Sequence, residues 1–419
     1  MPENGFDRSV VGGRQSPDTL KHYTVRMFFS YSEQTRQRMV ARWIAFFTVW
    51  VLAAAAFPAP VQKQNAKKPA AKKDTPAAVP KKSAATRTSK RRAVKRVSPS
   101  RWTEPTFADS TLGDAIDGED LVVRRAAVEA LGTYNGTVVA VDSTSGRVLT
   151  MVNQKVALTS GFVPCSTVKI AVALAALSEG LIGRDTRVRL TRRTSIDLTE
   201  ALAHSNNPYF AWLGEKLGYD KFAYYARLYG LGEKAGLNIR GELPGLFPDA
   251  PPKEGGMGMM TSFGMGISLT PLELAAFLAA VSNGGTLYWL QYPEDQHQVE
   301  QFIPRVKRRL DIARWIPDIK PGLMAAVEYG TARKAMYSPE APICGKTGTC
   351  TGGTTHLGWF GAFNDFGQTK MVVVVLMTGG RGVSGPTAAE IAGNIYRRLH
   401  EQRYFARRPL FSPALLLAR

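Results

Sequence analysis

Residues 164–169, "PCSTVK", place a serine and a lysine three positions apart, and the apolar run "IAVAL" follows at 170–174. Positions i and i+3 share one face of a helix, so the spacing predicts that the Lys169 amine lies beside the Ser166 hydroxyl. Serine becomes a nucleophile when a base takes its proton, and a desolvated lysine has the lowered pKa that this role requires. Alone, the pattern S-x-x-K is equally typical of a capping serine followed by a solvated lysine.

Two further short motifs follow along the chain. Residues 205–207, "SNN", come after a short helical pattern, and by themselves they are typical of a turn that ends a helix. Residues 346–348, "KTG", lie in a predicted strand, where glycine lets a backbone or a ligand approach closely and Lys346 supplies a charge suited to a carboxylate. By itself this motif also fits an edge strand with a solvated lysine. The three motifs together, in this order, predict a single site.

The elements around these motifs predict the fold class. Helical spacing is found at 122–131, across most of 167–282 and at 387–400, and strand patterns are found at 137–141, 148–152, 343–349, 357–363 and 371–378. We therefore expect an α/β (α+β) fold in which strands from both ends of the chain form one antiparallel sheet. Helices would flank the sheet, with an all-helical subdomain inserted between its strands. The site would lie between the sheet and the inserted helices.

Positive charge is concentrated in one segment of the 419-residue chain. The net charge is +20, and residues 62–101 hold fourteen Lys and Arg against the single acid Asp74. This Lys/Ala/Pro-rich segment has almost no large apolar side chains to offset the entropy of ordering, so we predict a basic disordered linker at 62–104. Nucleic acid is the alternative partner of such a tract, but aromatic interleaving and a nucleic-acid-binding motif are missing. An anionic envelope surface is the expected partner, and no nucleic acid.

An apolar run, "WIAFFTVWVLAAAAF", occupies residues 43–57 after three arginines. The segment 43–61 falls short of the about 20 residues that a spanning helix needs, and its alanines resemble a cleavage site. A cleaved signal peptide and a short membrane anchor both fit. Residues 1–42 are expected to be an N-terminal tail, with Met39 as an alternative true start. We expect the folded domain in the periplasm or cell envelope, secreted or anchored to the inner membrane by its N-terminus.

The three motifs resemble the S-x-x-K, S-D-N and K-T-G signature of the penicillin-binding transpeptidases and, more distantly, of the serine β-lactamases. The likeness extends to "SNNPYFAWLGEKLGYDKFAYYARLYGLGEKAGLNIRGELPG" (205–245), "GISLTPLELAAFLAAVSNGG" (266–285), "EYGTARKAM" (328–336) and "GWFGAF" (358–363). It implies a serine β-lactamase/transpeptidase-like domain at 105–403, followed by a C-terminal tail at 404–419. Asn206 departs from the middle aspartate of the signature, a change that transpeptidases tolerate.

The resemblance implies a role for each motif residue. Ser166 would attack the D-Ala-D-Ala amide of a peptidoglycan stem peptide, or a β-lactam that mimics it, with Lys169 as general base and Ser205 relaying the proton to the leaving amine. Asn207 would hold the acyl side-chain amide. The backbone N–H groups of Ser166 and Thr349 would form the oxyanion hole. The strand residues that would bind the substrate and its terminal carboxylate are Lys346, Thr347, Gly348 and Thr349.

The function implied is a D,D-transpeptidase of peptidoglycan biosynthesis that works through a serine acyl-enzyme and binds penicillin covalently. D,D-carboxypeptidase or endopeptidase activity uses the same residues with water as acceptor, and it remains an alternative. A class D-like β-lactamase is suggested by "PCSTVKI" and "GWFGAF", although the segment 205–245 argues against it. A penicillin-binding sensor or scaffold without turnover is the remaining alternative. Expected partners are stem peptides, β-lactams and other cell-wall synthesis proteins. Five scattered histidines offer no metal-ligand spacing, so no metal and no cofactor are expected.

The three cysteines all lie beside the motifs. Cys344 and Cys350 are six residues apart in a predicted strand, a span of about 20 Å, whereas the Cα atoms of a disulfide lie within about 7 Å. If Ser166 and Thr349 share the oxyanion hole that the resemblance implies, Cys165 and Cys350 are brought together, as in the bridge of some class A carbapenemases. We expect a Cys165–Cys350 disulfide with Cys344 free. The alternative is that all three cysteines are reduced and buried.

Overall fold

A computed structural model describes residues 103–406. The helices in chain order are α1 (Leu121–Leu131), α2 (Gln154–Ala157), α3 (Lys169–Ser178), α4 (Leu198–Ala203), α5 (Asn207–Leu228), α6 (Gly256–Phe263), α7 (Pro271–Ser282), α8 (Gln296–Glu300), α9 (Ile316–Glu328) and α10 (Gly385–Glu401). The strands are β1 (Gly136–Asp142), β2 (Val148–Val152), β3 (Val188–Arg189), β4 (Ser195–Ile196), β5 (Thr286–Tyr288), β6 (Val306–Arg309), β7 (Ile343–Gly352), β8 (Thr355–Asn364) and β9 (Met371–Gly379). Short 3₁₀ turns occur at Cys165–Val168, Ala313–Trp315, Arg333–Ala335 and Tyr404–Ala406.

The central sheet has five strands in the order β2-β1-β9-β8-β7, and every neighbouring pair is antiparallel. β1 pairs with β9, so the first two strands of the described residues share one sheet with the last three. Val139 of β1 faces Val374 of β9, and Lys346 of β7 faces Gly361 of β8. This arrangement confirms the predicted fold class, an antiparallel sheet built from both ends of the chain. It also places β7, which carries the K-T-G motif, at one edge of the sheet.

Both faces of the sheet are covered, and β9 shows how the sequence specifies this. All nine residues of β9 are buried. Because side chains alternate between the two faces of a strand, an uninterrupted apolar run such as "MVVVVLM" supplies both cores at once. Val372 and Val374 join the core that contains α3 and α7, and Val373 and Val375 join the core formed with α1 and α10. The face with α3 and α7 is the one that carries the candidate site.

The insertion between β2 and β7 is largely helical, as predicted, but it also holds two short strand pairs, β3–β4 and β5–β6. Strands of two to four residues are too short to show an alternating pattern in the sequence. The longest helix, α5, is bent at Gly218, whose φ of 71° interrupts the helical dihedrals. A left-handed φ of this kind is readily adopted by glycine, so the bend falls where the sequence permits it.

The folded part extends beyond residue 403, where the sequence analysis placed the end of the domain. Phe405 is 2% exposed, and its ring centroid lies 4.9 Å from that of Phe366. At the other end, Thr103 lies within the predicted linker, yet its hydroxyl is 2.7 Å from that of Thr354 in the turn between β7 and β8. The predicted tail thus begins no earlier than residue 407, because an aromatic side chain fills the core after the last helix.

The predictions for residues 1–42 and 43–61, and almost all of 62–104, lie outside the described residues. Within residues 103–406, no helix combines the length and the apolar character needed to cross a membrane. In the same part of the chain, His, Cys, Asp and Glu side chains form no group of three or more that could hold a metal ion.

Candidate active site

The candidate nucleophile, Ser166, lies on the 3₁₀ turn that leads into α3. The sequence predicted a helix start here, and the structure makes its first turn the tighter 3₁₀ form. Cys165 opens the turn with a φ of 51°, and the hydroxyl of Thr167 donates to the carbonyl of Pro164 at 2.7 Å. Side chains at i and i+3 eclipse in a 3₁₀ helix. The predicted contact forms accordingly, with 3.0 Å between Lys169 Nζ and Ser166 Oγ.

Lys169 is fully buried at the meeting point of two motifs. Its Nζ contacts Ser166 Oγ at 3.0 Å, Ser205 Oγ at 3.0 Å, the Ser205 carbonyl at 2.8 Å and Asn207 Oδ1 at 2.5 Å. Burial lowers the pKa of Lys169 to about 7, because the charged form loses its hydration. Near neutral pH a substantial share of the molecules therefore carries a neutral amine. Such an amine can take a proton from a hydroxyl in contact with it.

The "SNN" segment joins α4 to α5, and each of its residues has a different task. Ser205 has a φ of 53°, and in this left-handed conformation both its hydroxyl and its carbonyl contact Lys169. Asn206 caps α5 by accepting a hydrogen bond from the N–H of Tyr209 at 2.9 Å. Asn206, where the motif departs from the family signature, thus has a structural role as the N-cap of a helix. Because Asn207 Oδ1 is engaged by Lys169, the NH₂ group of Asn207 is the one that remains to contact a ligand.

Gly348 allows β7 to lie against the 3₁₀ turn Cys165–Val168, which carries Ser166 and is called the nucleophile turn below. A Cβ at this position would be 3.0 Å from the carbonyl oxygen of Pro164, 3.1 Å from Trp359 Cβ and 3.2 Å from Cys165 Cβ. Trp359 on β8 also ties the two parts together, since its indole N–H donates to the Val163 carbonyl at 3.0 Å. The glycine of the K-T-G motif is therefore required by close approach of the backbone.

Lys346 is fully buried on β7, and its Nζ donates to the Thr347 carbonyl at 3.0 Å. Its pKa is held well below the ordinary value by burial and, to a smaller degree, by the positive charge of Lys169. The charge of Lys169 thus acts on Lys346 inside the same part of the molecule. A carboxylate placed beside Lys346 would raise the pKa of Lys346, because an opposite charge favours the ammonium form.

The two threonines of "KTGT" are held by residues that the motifs did not indicate. The hydroxyl of Thr347 donates to the hydroxyl of Thr331 at 2.7 Å, and the N–H of Gly385 donates to Thr349 Oγ1 at 2.7 Å. Thr331 lies in "EYGTARKAM", a stretch that carried the family likeness but suggested no role. Gly385 begins α10, far along the chain from β7. Neither contact has a local sequence signal, since each depends on how the elements pack.

The structure contains a disulfide between Cys165 and Cys350, whose Cα atoms are 5.7 Å apart. It links the nucleophile turn to β7 across a sequence separation of 185 residues. Ser166 and Thr349, the proposed oxyanion-hole residues, each adjoin one of the bridged cysteines. Cys344 is free and buried, and burial raises the pKa of its thiol to about 12. The protonated thiol is a poor nucleophile, so Cys344 acts as an apolar filler.

A five-stranded antiparallel sheet with a helical insertion, carrying S-x-x-K, S-x-N and K-T-G where the two meet, defines the class of penicillin-binding transpeptidases and serine β-lactamases. Within that class, the family described as "Penicillin binding protein transpeptidase domain" matches residues 136–397. The chain belongs to this family, which confirms the resemblance seen in the sequence.

Known proteins place the chain in the same group. It is 31% identical over 282 residues to stage V sporulation protein D of Bacillus subtilis, covering 58% of this chain and 43% of that protein. It is 22% identical over 360 residues to the peptidoglycan D,D-transpeptidase MrdA of Haemophilus influenzae, covering 65% of this chain and 54% of that protein. The chain thus spans about half the length of these relatives. Among solved structures, a penicillin-binding protein (PBP2) in complex with MreC from Helicobacter pylori shares the fold, with a TM-score of 0.57. The two are 19% identical, and the match covers 67% of this chain and 63% of that one.

Proposed function

We propose that this protein is a serine D,D-transpeptidase that cross-links peptidoglycan stem peptides, with its catalytic domain in the folded part described above, residues 103–406. The observation that carries the proposal is the position of Lys169, which is buried, has a pKa of about 7 and lies 3.0 Å from two serine hydroxyls, those of Ser166 and Ser205. One amine can thus serve both proton transfers that acylation requires. Membership of the transpeptidase family supports the same reaction.

In the acylation step, Ser166 Oγ attacks the carbonyl carbon between the two D-alanines while its proton passes to Lys169 Nζ. The negative charge that develops on the carbonyl oxygen is held by the N–H groups of Ser166 and Thr349, a device worth about 3–4 kcal/mol per donor. Lys169 returns the proton through Ser205 Oγ to the nitrogen of the leaving D-alanine. The C–N bond then breaks, leaving an ester on Ser166. A β-lactam ring opens by the same steps, but its amine stays attached.

In the second step, the amine of another stem peptide attacks the ester carbonyl. Lys169 and Ser205 take up the proton that this amine loses, and Ser166 leaves with a proton as the hydroxyl. A new amide is formed and the enzyme is regenerated, which is a ping-pong scheme. During both steps Asn207 holds the acyl side-chain amide. In the first step the strand residues around Gly348 hold the terminal carboxylate of the donor peptide, which departs with the released D-alanine.

The surroundings of Lys169 favour this proposal over a class D-like β-lactamase. Those enzymes use a carboxylated motif lysine in an apolar pocket, whereas Lys169 Nζ has four oxygen atoms within 3.0 Å, two of them from Ser205. These are the contacts of a free amine, whose proton transfers need no carbamate. Slow deacylation by water is therefore the expected behaviour towards β-lactams.

We further place the catalytic domain in the periplasm, on the outer side of the inner membrane. The support is the export-type segment at 43–61 and the basic segment at 62–104, which would contact an anionic envelope surface. Other cell-wall synthesis proteins are proposed as partners, since a structural neighbour was solved as a complex with MreC.

The proposed reaction is tested with a purified chain and a stem pentapeptide, with and without an acceptor amine. We expect D-alanine release together with a new cross-linked amide when the amine is present. Release that yields only the hydrolysed tetrapeptide in both cases would assign the carboxypeptidase alternative. A Ser166→Ala variant that still releases D-alanine would show that another residue is the nucleophile.

A further inference from the structure

Thr331 connects the two sides of the candidate site. Its backbone N–H donates to the Ala203 carbonyl at 3.0 Å, two residues before Ser205, and its Oγ1 accepts from Thr347 Oγ1 at 2.7 Å. The preceding residue keeps this segment close, because a Cβ at Gly330 would lie 2.2 Å from the Ala203 carbonyl oxygen. The side chain of Thr331 is thus held by its own backbone at the position where it meets Thr347.

The direction of this hydrogen bond matters for ligand binding. A threonine hydroxyl has one proton, and Thr347 gives its proton to Thr331 in the structure. In that state Thr347 offers a ligand only lone pairs, which a carboxylate repels. Thr347 can donate to a carboxylate only if its proton turns away from Thr331. If Thr331 then becomes the donor, the two hydroxyls keep their hydrogen bond, and their oxygen atoms do not face each other with lone pairs alone.

The neighbouring threonine is arranged differently. Thr349 is exposed, and its Oγ1 already accepts from the N–H of Gly385 at 2.7 Å. A backbone N–H cannot reverse its role, so the proton of Thr349 is available to a ligand at all times. The two hydroxyls of the strand therefore differ: one is a permanent donor, and the other becomes a donor through its partner.

We propose that Thr331 is a positioning residue for carboxylate recognition, forming with Thr347 a two-hydroxyl relay that reverses when an anionic ligand binds. The inference rests on the proposed function, in which β7 holds the terminal carboxylate of the substrate. In the bound state Thr331 Oγ1–H donates to Thr347 Oγ1, and Thr347 Oγ1–H donates to the carboxylate. Each hydroxyl polarises the next, which strengthens the bond to the anion.

The test compares acylation by benzylpenicillin with acylation by its methyl ester, which lacks the carboxylate charge. The second-order rate constant for benzylpenicillin, divided by that for the methyl ester, measures what the carboxylate contributes. Thr331→Val keeps the shape but removes the hydroxyl, and we expect this ratio to fall about five- to tenfold. Thr331→Ser retains the relay and should stay within about twofold of the wild type. Thr331→Ala gives the same comparison without the branched side chain, should the valine variant fold poorly.

A matched control removes a buried threonine hydroxyl from the central sheet, away from the site. Thr137 on β1 donates to the Val152 carbonyl, so Thr137→Val should lower the thermal midpoint and leave the ratio unchanged. An unchanged ratio in Thr331→Val, or equal losses with both ligands, overturns this inference alone. A wild-type chain that neither ligand acylates overturns the proposed function and the inference with it.

Discussion

The side-chain amine of Lys169 is fully buried, and its nearest neighbours are oxygen atoms from residues on two different segments. Its contact with Ser166 follows from spacing in the sequence, because the two residues are three positions apart. The contacts with Ser205 and Asn207 span 36 and 38 positions and have no local signal. The sequence therefore indicated that the pKa of Lys169 would be lowered. The cause, complete burial of the side chain, is visible only in the fold.

The pKa of Lys169 predicts how acylation depends on pH. Burial lowers this pKa to about 7, so the neutral amine that acts as base predominates above that pH and is lost below it. The rate of acylation by benzylpenicillin should rise about tenfold per pH unit below pH 7 and level off above it. Stopped-flow acylation kinetics between about pH 5.5 and 8.5 measure this profile.

Lys169→Arg provides the control for that profile, because a guanidinium stays protonated throughout this pH range. The variant should be slow at every pH and show no rise near 7. If the wild-type profile is flat down to about pH 5.5, Lys169 is not the base and the proton goes elsewhere.

At the scale of the elements, the nucleophile turn and β7 pack so closely that there is no room for a side chain at Gly348. Gly348→Ala would place a Cβ within 3.2 Å of Pro164, Trp359 and Cys165. Overpacking of this kind costs about 1–3 kcal/mol, and moving the turn away from β7 separates the two proposed oxyanion donors. We expect the acylation rate to fall at least about tenfold, measured by penicillin labelling over time.

Gly183→Ala is the matched control, since the nearest atom to a Cβ there is 3.8 Å away. It should label at the wild-type rate. Equal labelling of Gly348→Ala and Gly183→Ala would mean that the close approach of turn and strand has no part in catalysis.

The disulfide joins the same two elements covalently. In the chain-entropy model, a bridge that closes a loop of 185 residues contributes up to about 5 kcal/mol, and measured effects of native bridges run about 2–5 kcal/mol. Cys165→Ser/Cys350→Ser should lose stability of this order in urea unfolding. Cys344→Ala, which leaves the bridge intact, should lose less.

Peptide mapping of the unreduced protein checks the pairing itself. The Cys165 peptide should be found joined to the Cys350 peptide, with a free thiol at Cys344. A free Cys165 thiol, or a bridge from Cys165 to Cys344, contradicts the pairing. The sequence could exclude a Cys344–Cys350 bridge on distance within one strand, but the partner of Cys165 depended on family resemblance, since it comes from the other end of the domain.

On the scale of the whole molecule, the sheet brings together strands from the two ends of the domain, and the 3₁₀ turn Tyr404–Ala406 packs against the core. Phe405 is 2% exposed and stacks near Tyr396 and Phe366. Phe405→Ala should cost about 3–5 kcal/mol of unfolding free energy, because it leaves a cavity in a packed core. Chemical denaturation measures the loss.

Leu112→Ala serves as control, since Leu112 is 70% exposed and its truncation should cost little. A truncation after Arg403 should behave like Phe405→Ala, whereas one after Ala406 should keep the stability of the intact domain. Full stability without residues 404–406 would return the boundary to 403, as the sequence first suggested.

The sequence was most informative where a pattern is long enough to repeat. The apolar strand β9, the helix α10 and the three motifs were all recognised, and together they gave the fold class. The short strand pairs in the insertion and the burial of Phe405 were missed. Two to four residues are too few to show a periodic pattern, and the two aromatics Tyr404 and Phe405 stand in an otherwise polar, basic segment that resembles a tail. Tertiary packing determines both the short strand pairs and the burial of Phe405, and local spacing in the sequence does not reveal it.

The central claim is that Ser166 is the nucleophile of a penicillin-binding transpeptidase. Mass spectrometry of the intact protein after incubation with benzylpenicillin tests it most directly, followed by peptide mapping and a time course of adduct loss. We predict one penicilloyl group per chain, located on the peptide that contains Ser166, persisting for many minutes and absent from Ser166→Ala. An adduct on another residue, or rapid catalytic hydrolysis of penicillin without an accumulating adduct, would contradict the account.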